Sequence, residues 1–280
     1  MGALVLEGGT FRPIFSCGVM DALLDNDVHF PYLIGVSAGI TDGVSYVSKQ
    51  RGRNLEMLLR FRHDKRYIGA RNYLTDRSLF GIKFAYETIP EEILPFDWKT
   101  YFENPAEVKV GVTNVNTGKI EYLDGKKLDK KCNMLKATCA LPLVFPPIEI
   151  DGEKYYDGGI TDSIPVKKAE EDGHDKMLIV LTRPNGYRKQ LSKSNVHAAR
   201  ILKRKFPNIV EPLINRHEMY NGQLDYCNQL EKEGRAVILR PTEEVQIESF
   251  EKDLDKIKRV YQFGYNLAIE NMDKIKKLLK

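Results

Sequence analysis

The sequence predicts an α/β fold: a central, mostly parallel sheet flanked by helices, with a helical C-terminal extension. Three features carry this expectation. Short continuous apolar runs alternate with stretches of helical spacing from Ala3 to Ser48. Glycine-rich turns separate each run from the helix after it. That order, strand then glycine turn then helix, is the βαβ pattern of a parallel sheet covered on both faces. The chain has 280 residues, 42% hydrophobic and 29% charged, enough apolar chain for a substantial core, so disorder is excluded as the main state.

Ala3-Leu4-Val5-Leu6 reads as a buried strand ended by Glu7-Gly8-Gly9. The N-terminal segment lacks a basic region before it, so a strand is expected there rather than a signal peptide. Leu6 stands where a myristoylation motif wants Ser or Thr. Pro13 suits the first turn of a helix, which Val19, Leu23 and Leu24 continue to about Asp27. Tyr32-Leu33-Ile34 is a second strand, and a helix follows Gly35-Val36-Ser37-Ala38-Gly39 to about Ser48. Helical pieces are expected at Leu55–Phe61, Leu79–Thr88 and Leu128–Thr138. Val108–Asn114 and Lys119–Leu123 alternate around an Asn-Thr-Gly turn and form a hairpin, as do Ile148–Ile150 and Glu153–Tyr156 around Asp151-Gly152. Val166–Glu171 is helical, Met177–Leu181 is a strand, and a long helix spans about Glu211–Glu233. Ala236–Leu239 is a strand, and a last helix starts near Phe250. A core over residues 1–182 with an extension over 183–280 packed on the same domain is the expected organisation.

Three motifs carry chemistry. Gly35-x-Ser37-x-Gly39 lies between a strand and a helix. A serine hydroxyl is a poor nucleophile unless it is exposed, strained and beside a base, and this turn supplies exposure and strain. A capped glycine turn would carry the same letters. Glu7-Gly8-Gly9-Thr10-Phe11-Arg12 fills the first strand-to-helix loop, where backbone N–H groups can converge on an oxyanion. Thr10 and Pro13 occupy positions where a dinucleotide fingerprint needs glycine. Asp157-Gly158-Gly159 places a carboxylate at a strand end, which by itself also fits a simple turn.

In this order the three motifs resemble those of the patatin-like phospholipases. The runs Ser78-Leu79-Phe80-Gly81, Leu141-Pro142-Leu143 and Asp157 to Val166 are similar to a bacterial branch of that family. The resemblance implies a serine acyl-ester hydrolase acting on lipids. It implies a dyad of Ser37 as nucleophile and Asp157 as proton acceptor, with Gly8, Gly9, Thr10 and Arg12 in the oxyanion loop. It implies no metal and no cofactor. The family loop carries a third glycine where this chain has Thr10, and a last glycine where it has Pro13. A β-branched residue is strained if that position needs positive φ, so a catalytically impaired lipid- or protein-binding relative is the rival reading.

A Ser–acid–His triad would need His174, His197 or His217. His174 sits in a polar turn and the other two on basic helical stretches, so the dyad is preferred. Tyr67, Tyr73, Phe80, Phe84 and Tyr86 can line an acyl pocket or cover the sheet, and Cys17 reads as packing. Cys17, Cys132, Cys139 and Cys227 form no CxxC pair, which points to free thiols in a cytoplasmic protein. From Arg183 to Val210 there are eight Lys or Arg and no Asp or Glu, although the whole chain carries only +4. Such a stretch can meet an anionic membrane surface peripherally. No nucleic-acid module accompanies it, so nucleic acid is not an expected partner.

Overall fold

A computed structural model describes residues 2–280; Met1 lies outside the described residues. The first strand, β1 (Gly2–Leu6), is fully buried and lies mid-sheet. Its alternate residues serve two cores. Leu4 and Leu6 face one helical layer, and Ala3 and Val5 face the other. Burial on both faces is why the run reads as continuously apolar. Helix α1 (Ile14–Asp25) follows the glycine loop, with Pro13 just before it. Then come β2 (Tyr32–Val36) and α2 (Ser37–Val47), with no linker between them.

Helices α3 (Arg53–Phe61), α4 (Asn72–Thr75) and α5 (Trp98–Glu103) surround a π-helix over Phe84–Ile93. The helix expected at Leu79–Thr88 is thus displaced toward the C-terminus, because Phe80 is taken by a bridge to Ile68. Strands β3 (Glu107–Asn114) and β4 (Ile120–Asp124) form the first hairpin. Helix α6 is confined to Asn133–Thr138, because Cys132 adopts φ 54° and breaks the helix expected from Leu128. Strands β5 (Ile148–Ile150) and β6 (Glu153–Asp157) form the second hairpin.

Helix α7 (Val166–Glu171), β7 (Lys176–Val180), α9 (Val210–Lys232) and β8 (Ala236–Leu239) complete the sheet and its second layer, while α8 (Lys193–Leu202) buries Ala198, Ala199 and Leu202 in the first core. Helices α10 (Leu254–Glu270) and α11 (Met272–Lys277) end the chain. The Asp253 carboxylate accepts from the N–H groups of Asp255 and Lys256, which fixes the start of α10 four residues beyond Phe250.

The eight-stranded sheet has the order β5-β6-β3-β2-β1-β7-β8, with β4 also on β3. The β3-β2-β1-β7-β8 segment is parallel, and the hairpins make the far edge antiparallel. Helices α1, α2, α3 and α10 pack on one face, and α7 and α9 on the other. Gly18 of α1 lies against the Tyr261 carbonyl and Gly264 of α10 against the Phe15 carbonyl, so the two backbones meet without intervening side chains. The C-terminal ends of β1, β2 and β7 open at one edge, where ligands of open α/β sheets bind.

Candidate active site

Ser37 stands at the junction of β2 and α2 with φ 54°. A non-glycine residue there is strained by roughly 1–3 kcal/mol, so the surrounding structure must hold it. Gly39 allows this, since a Cβ at that position would lie 2.5 Å from the Glu7 carbonyl. Gly35 ends the strand side of the turn, beside Leu6. The Ser37 N–H donates to Thr138 Oγ1 at 2.8 Å, and that hydroxyl donates to the Gly111 carbonyl at 2.6 Å. Neither Thr138 nor Gly111 stood out in the sequence. Thr138 lies 101 residues from Ser37, and no local motif marks it.

Asp157 ends β6, 1% exposed. Its Oδ2 accepts from Ser37 Oγ at 2.7 Å. Its Oδ1 accepts from the Gly159 N–H at 2.7 Å, so the carboxylate caps the turn that follows it. Gly158 backs onto the Gly111 carbonyl. Burial raises the Asp157 pKa above the usual carboxylate range; the Arg216 charge and the bonds from Ser37 and Gly159 oppose that rise. Arg216, on α9, donates from Nε to the Gly159 carbonyl at 2.5 Å. It too was missed in the sequence, where it reads as one more cation on a polar helix.

The glycine loop closes over Ser37. A Cβ on Gly8 would lie 2.7 Å from Ser37 Cβ, so only glycine lets the loop come this near. Thr10 adopts φ 58°, a left-handed conformation that favours glycine, at the position where the resembled loop carries its third glycine. Among the described residues, no group accepts a hydrogen bond from the N–H of Gly8, Gly9 or Thr10. Arg12 is fixed beneath the loop. Its N–H donates to the Gly9 carbonyl at 3.1 Å, and its guanidinium donates to Thr182 Oγ1 at 3.4 Å and to the Ser249 hydroxyl.

Ser37 and Thr10 both line a mostly apolar cavity. Tyr67, Phe80 and Tyr86 of the aromatic stretch line it, together with Phe11 and Phe145. Phe84 packs edge-on against Phe61, and Tyr73 is exposed. Asp42, Arg53 and Cys17 form a polar group on the cavity wall. Burial pushes the Asp42 pKa up to about 7.

The histidines are elsewhere. His174 stacks on Tyr32 at 4.1 Å between ring centroids. His217 Nδ1 lies 3.0 Å from the Ile214 carbonyl, and His197 is exposed on α8. No histidine hydrogen bonds to Ser37 or Asp157 among the described residues. Among the same residues, no group of three His, Cys, Asp or Glu could hold a metal ion, and no helix is long and apolar enough to cross a membrane.

Residues 4–169 match the family described as patatin-like phospholipase, and residues 206–280 match a domain of unknown function, DUF6363. The uncharacterized protein YjjU of Escherichia coli (strain K12) is 23% identical over 197 residues, covering 65% of this chain and 52% of that protein. Lysophospholipase nte1 of Aspergillus terreus is 23% identical over 98% of this chain but 18% of its own length. The chain therefore spans about half of the first relative and a small part of the second. A probable lipid hydrolase, 463L of Invertebrate iridescent virus 6, is 24% identical over 82% of this chain and 83% of its own. Among solved structures, VipD from Legionella pneumophila aligns with 97% of this chain and 66% of its own at 13% identity, with a TM-score of 0.48.

Proposed function

Since this chain belongs to the patatin-like phospholipase family, whose match spans residues 4–169, we propose that it is a lipid acyl-ester hydrolase of phospholipase A type working through a Ser37–Asp157 dyad. The observation that carries the reading is the 2.7 Å bond from a strained Ser37 hydroxyl to a buried carboxylate, at the wall of an apolar cavity. Ser37 Oγ attacks the ester carbonyl while Asp157 takes its proton. The free N–H groups of Gly8, Gly9 and Thr10 receive the charge on the carbonyl oxygen. Arg12 holds the loop from below through Gly9 and Thr182. Asp157 then gives the proton to the leaving alcohol. Water, deprotonated by the same carboxylate, releases the fatty acid from the acyl-enzyme. This chemistry calls for no metal or organic cofactor.

A fluorophosphonate probe tests the reading. The folded protein should label stoichiometrically, and Ser37→Ala should remove the label. Folded wild-type protein that does not label would favour the rival, a catalytically impaired binding relative. Thr10 in the left-handed region is the observation on that rival's side.

Peripheral contact with an anionic membrane is part of the same reading. Helix α8 and the turn after it expose Lys193, Arg200, Lys203, Arg204 and Lys205 beside exposed Leu191 and Ile201, a combination suited to a charged surface with apolar groups beneath it. Sedimentation with anionic vesicles, weakened by salt and by Lys203/Arg204/Lys205→Ser, would support it; equal indifference to anionic and neutral vesicles would refute it. The four free thiols fit a cytoplasmic site of action.

A further inference from the structure

The basic stretch is not one surface. Arg188 turns outward to pair with Asp225, and α8 carries its cations on the outside. Half-buried Arg183 and Lys189 lie within electrostatic reach of Arg12, and Lys189 also of Arg216. Arg216 reaches the dyad through Gly159, whose carbonyl it holds and whose N–H binds Asp157. Arg12 bonds Thr182, the neighbour of Arg183. The Arg183 guanidinium lies 4.7 Å from the centre of the Tyr187 ring, and Lys189 Nζ lies 4.5 Å from that of Tyr220. Those two rings pack edge to face at 6.1 Å. Asn221 fixes the loop, taking the Lys189 N–H at 2.9 Å and donating to its carbonyl at 3.0 Å.

This charge is only partly neutralised from within, by the single carboxylate of Glu7. None of Arg12, Arg183, Lys189 or Arg216 has an ion pair within 4 Å among the described residues. Glu7 is the nearby carboxylate, and it is occupied by the Tyr220 hydroxyl at 2.8 Å and the Thr182 N–H at 2.6 Å. The Arg183 Nε is buried with no hydrogen-bond partner. Burial, with the charges of Arg216, Arg12 and Arg183, pushes Lys189 down to about 7 despite the pull of Glu7. Cations kept for solubility splay into water; these three, from residues 183, 189 and 216, are half-buried and converge. Lys189 and Arg216 line an open polar cleft with Tyr187, Arg188, Ser192 and Asn195, and Arg183 stands within electrostatic reach of Lys189 without lining the cleft. None of these residues lines the apolar cavity, and Arg216, through Gly159, links the cleft to Asp157.

Resting on the hydrolase reading, we propose that Arg183, Lys189 and Arg216 form an anion subsite for the phosphate of a phosphorylated acyl ester. The acyl chain lies in the apolar cavity and the phosphate, on the alcohol side of the scissile bond, lies in the cationic cleft. Guanidinium groups present paired donors that match phosphate oxygens, and a dianion offsets the crowding of like charges.

The test is binding, so that it does not depend on turnover. Full-length Ser37→Ala is titrated by calorimetry with monomeric lysophosphatidate and with the monoacylglycerol of the same chain. The phosphate-bearing lipid should bind at least about tenfold more tightly, the scale of charge-assisted hydrogen bonds. Adding Arg183→Gln and Lys189→Gln should bring the two affinities together, while Lys189→Arg should keep them apart. Binding near pH 7.5 should take up protons, because an anion restores the charge of Lys189. Equal affinity for both lipids, or a preference that survives the double substitution, overturns the subsite. Inorganic phosphate that binds as tightly as lysophosphatidate would assign the cleft to free phosphate and overturn the lipid assignment. If wild-type protein hydrolyses no ester but the preference holds, the dyad reading fails and the subsite stands.

Discussion

Ser37 Oγ donates directly to Asp157 Oδ2 at 2.7 Å, across 120 residues of chain. Each partner is held from behind, Ser37 by Thr138 and Asp157 by Gly159. The contact leaves no place for an imidazole between them. On the proposed dyad reading, the proton of Ser37 goes to a carboxylate whose own affinity for protons is raised by burial.

That relation fixes a pH dependence. Only the ionised form of Asp157 can accept a proton. Because burial raises its pKa, the rate should fall as pH drops through a value above the ordinary carboxylate range. Asp157→Asn should lower the rate by roughly 10²–10⁴-fold and abolish that acid limb. A pH–rate profile of both proteins checks it. An acid limb in the ordinary range, or near-normal turnover in the variant, would contradict the role.

Thr138→Val should disturb Ser37 without touching it. The change strips the Ser37 N–H and the Gly111 carbonyl of their buried partner, at about 1–3 kcal/mol each. Thermal unfolding should shift down by several degrees and ester hydrolysis should weaken. Thr138→Ser should restore both; failure of that rescue would point to packing by the methyl group instead.

Thr10→Gly tests the departure in the oxyanion loop. Thr10 at φ 58° carries a left-handed penalty of about 1–2 kcal/mol, which glycine removes at an entropic cost of about 0.5–1 kcal/mol. Stability should change little, and the rate should stay level or rise. A large loss of rate with stability intact would show that the threonine side chain is required.

Asp42 gives a stability prediction with a definite sign. Its folded-state pKa is raised by burial from 3.8 to about 7. Between these values the folded state holds the proton more tightly than the unfolded one. Its contribution to stability is therefore fully present below the lower value and is lost as pH rises to the upper. Asp42→Asn should gain stability relative to wild type across that window and level off above it. Denaturant midpoints from pH 4 to 8 check this; a constant offset would place Asp42 in free contact with bulk water.

The sheet was legible because its strands are buried on both faces, so Ala3–Leu6, Tyr32–Ile34 and Met177–Leu181 read as continuous apolar runs. Ser37 and Asp157 were legible because each sits in a turn whose glycines are local in sequence. Thr138 and Arg216 were not, because their importance is a single contact made 101 and 57 residues away. The short α6 and the π-helix were misjudged for a related reason. Cys132 breaks the first with φ 54°, and Phe80 leaves the second for a bridge to Ile68, choices that spacing does not record. The basic stretch read as one feature because charge counting ignores partners, whereas the fold pairs Arg188 with Asp225 and sets Lys189 among other cations.

The backbone contact of α1 with α10 joins a helix to one that is synthesised long after it. A ribosome-bound chain that has emerged only as far as α9 presents the apolar face of α1, with Phe15 and Val19, to whatever surrounds it. The glycine loop that precedes α1 would be poorly supported at that stage, because Ser249, which accepts from Arg12 and from the Phe11 N–H, has not yet arrived. Assembly of this region is thus coupled to the emergence of α10 and the segment before it, and a chain stopped short of them is held with its glycine loop unsupported.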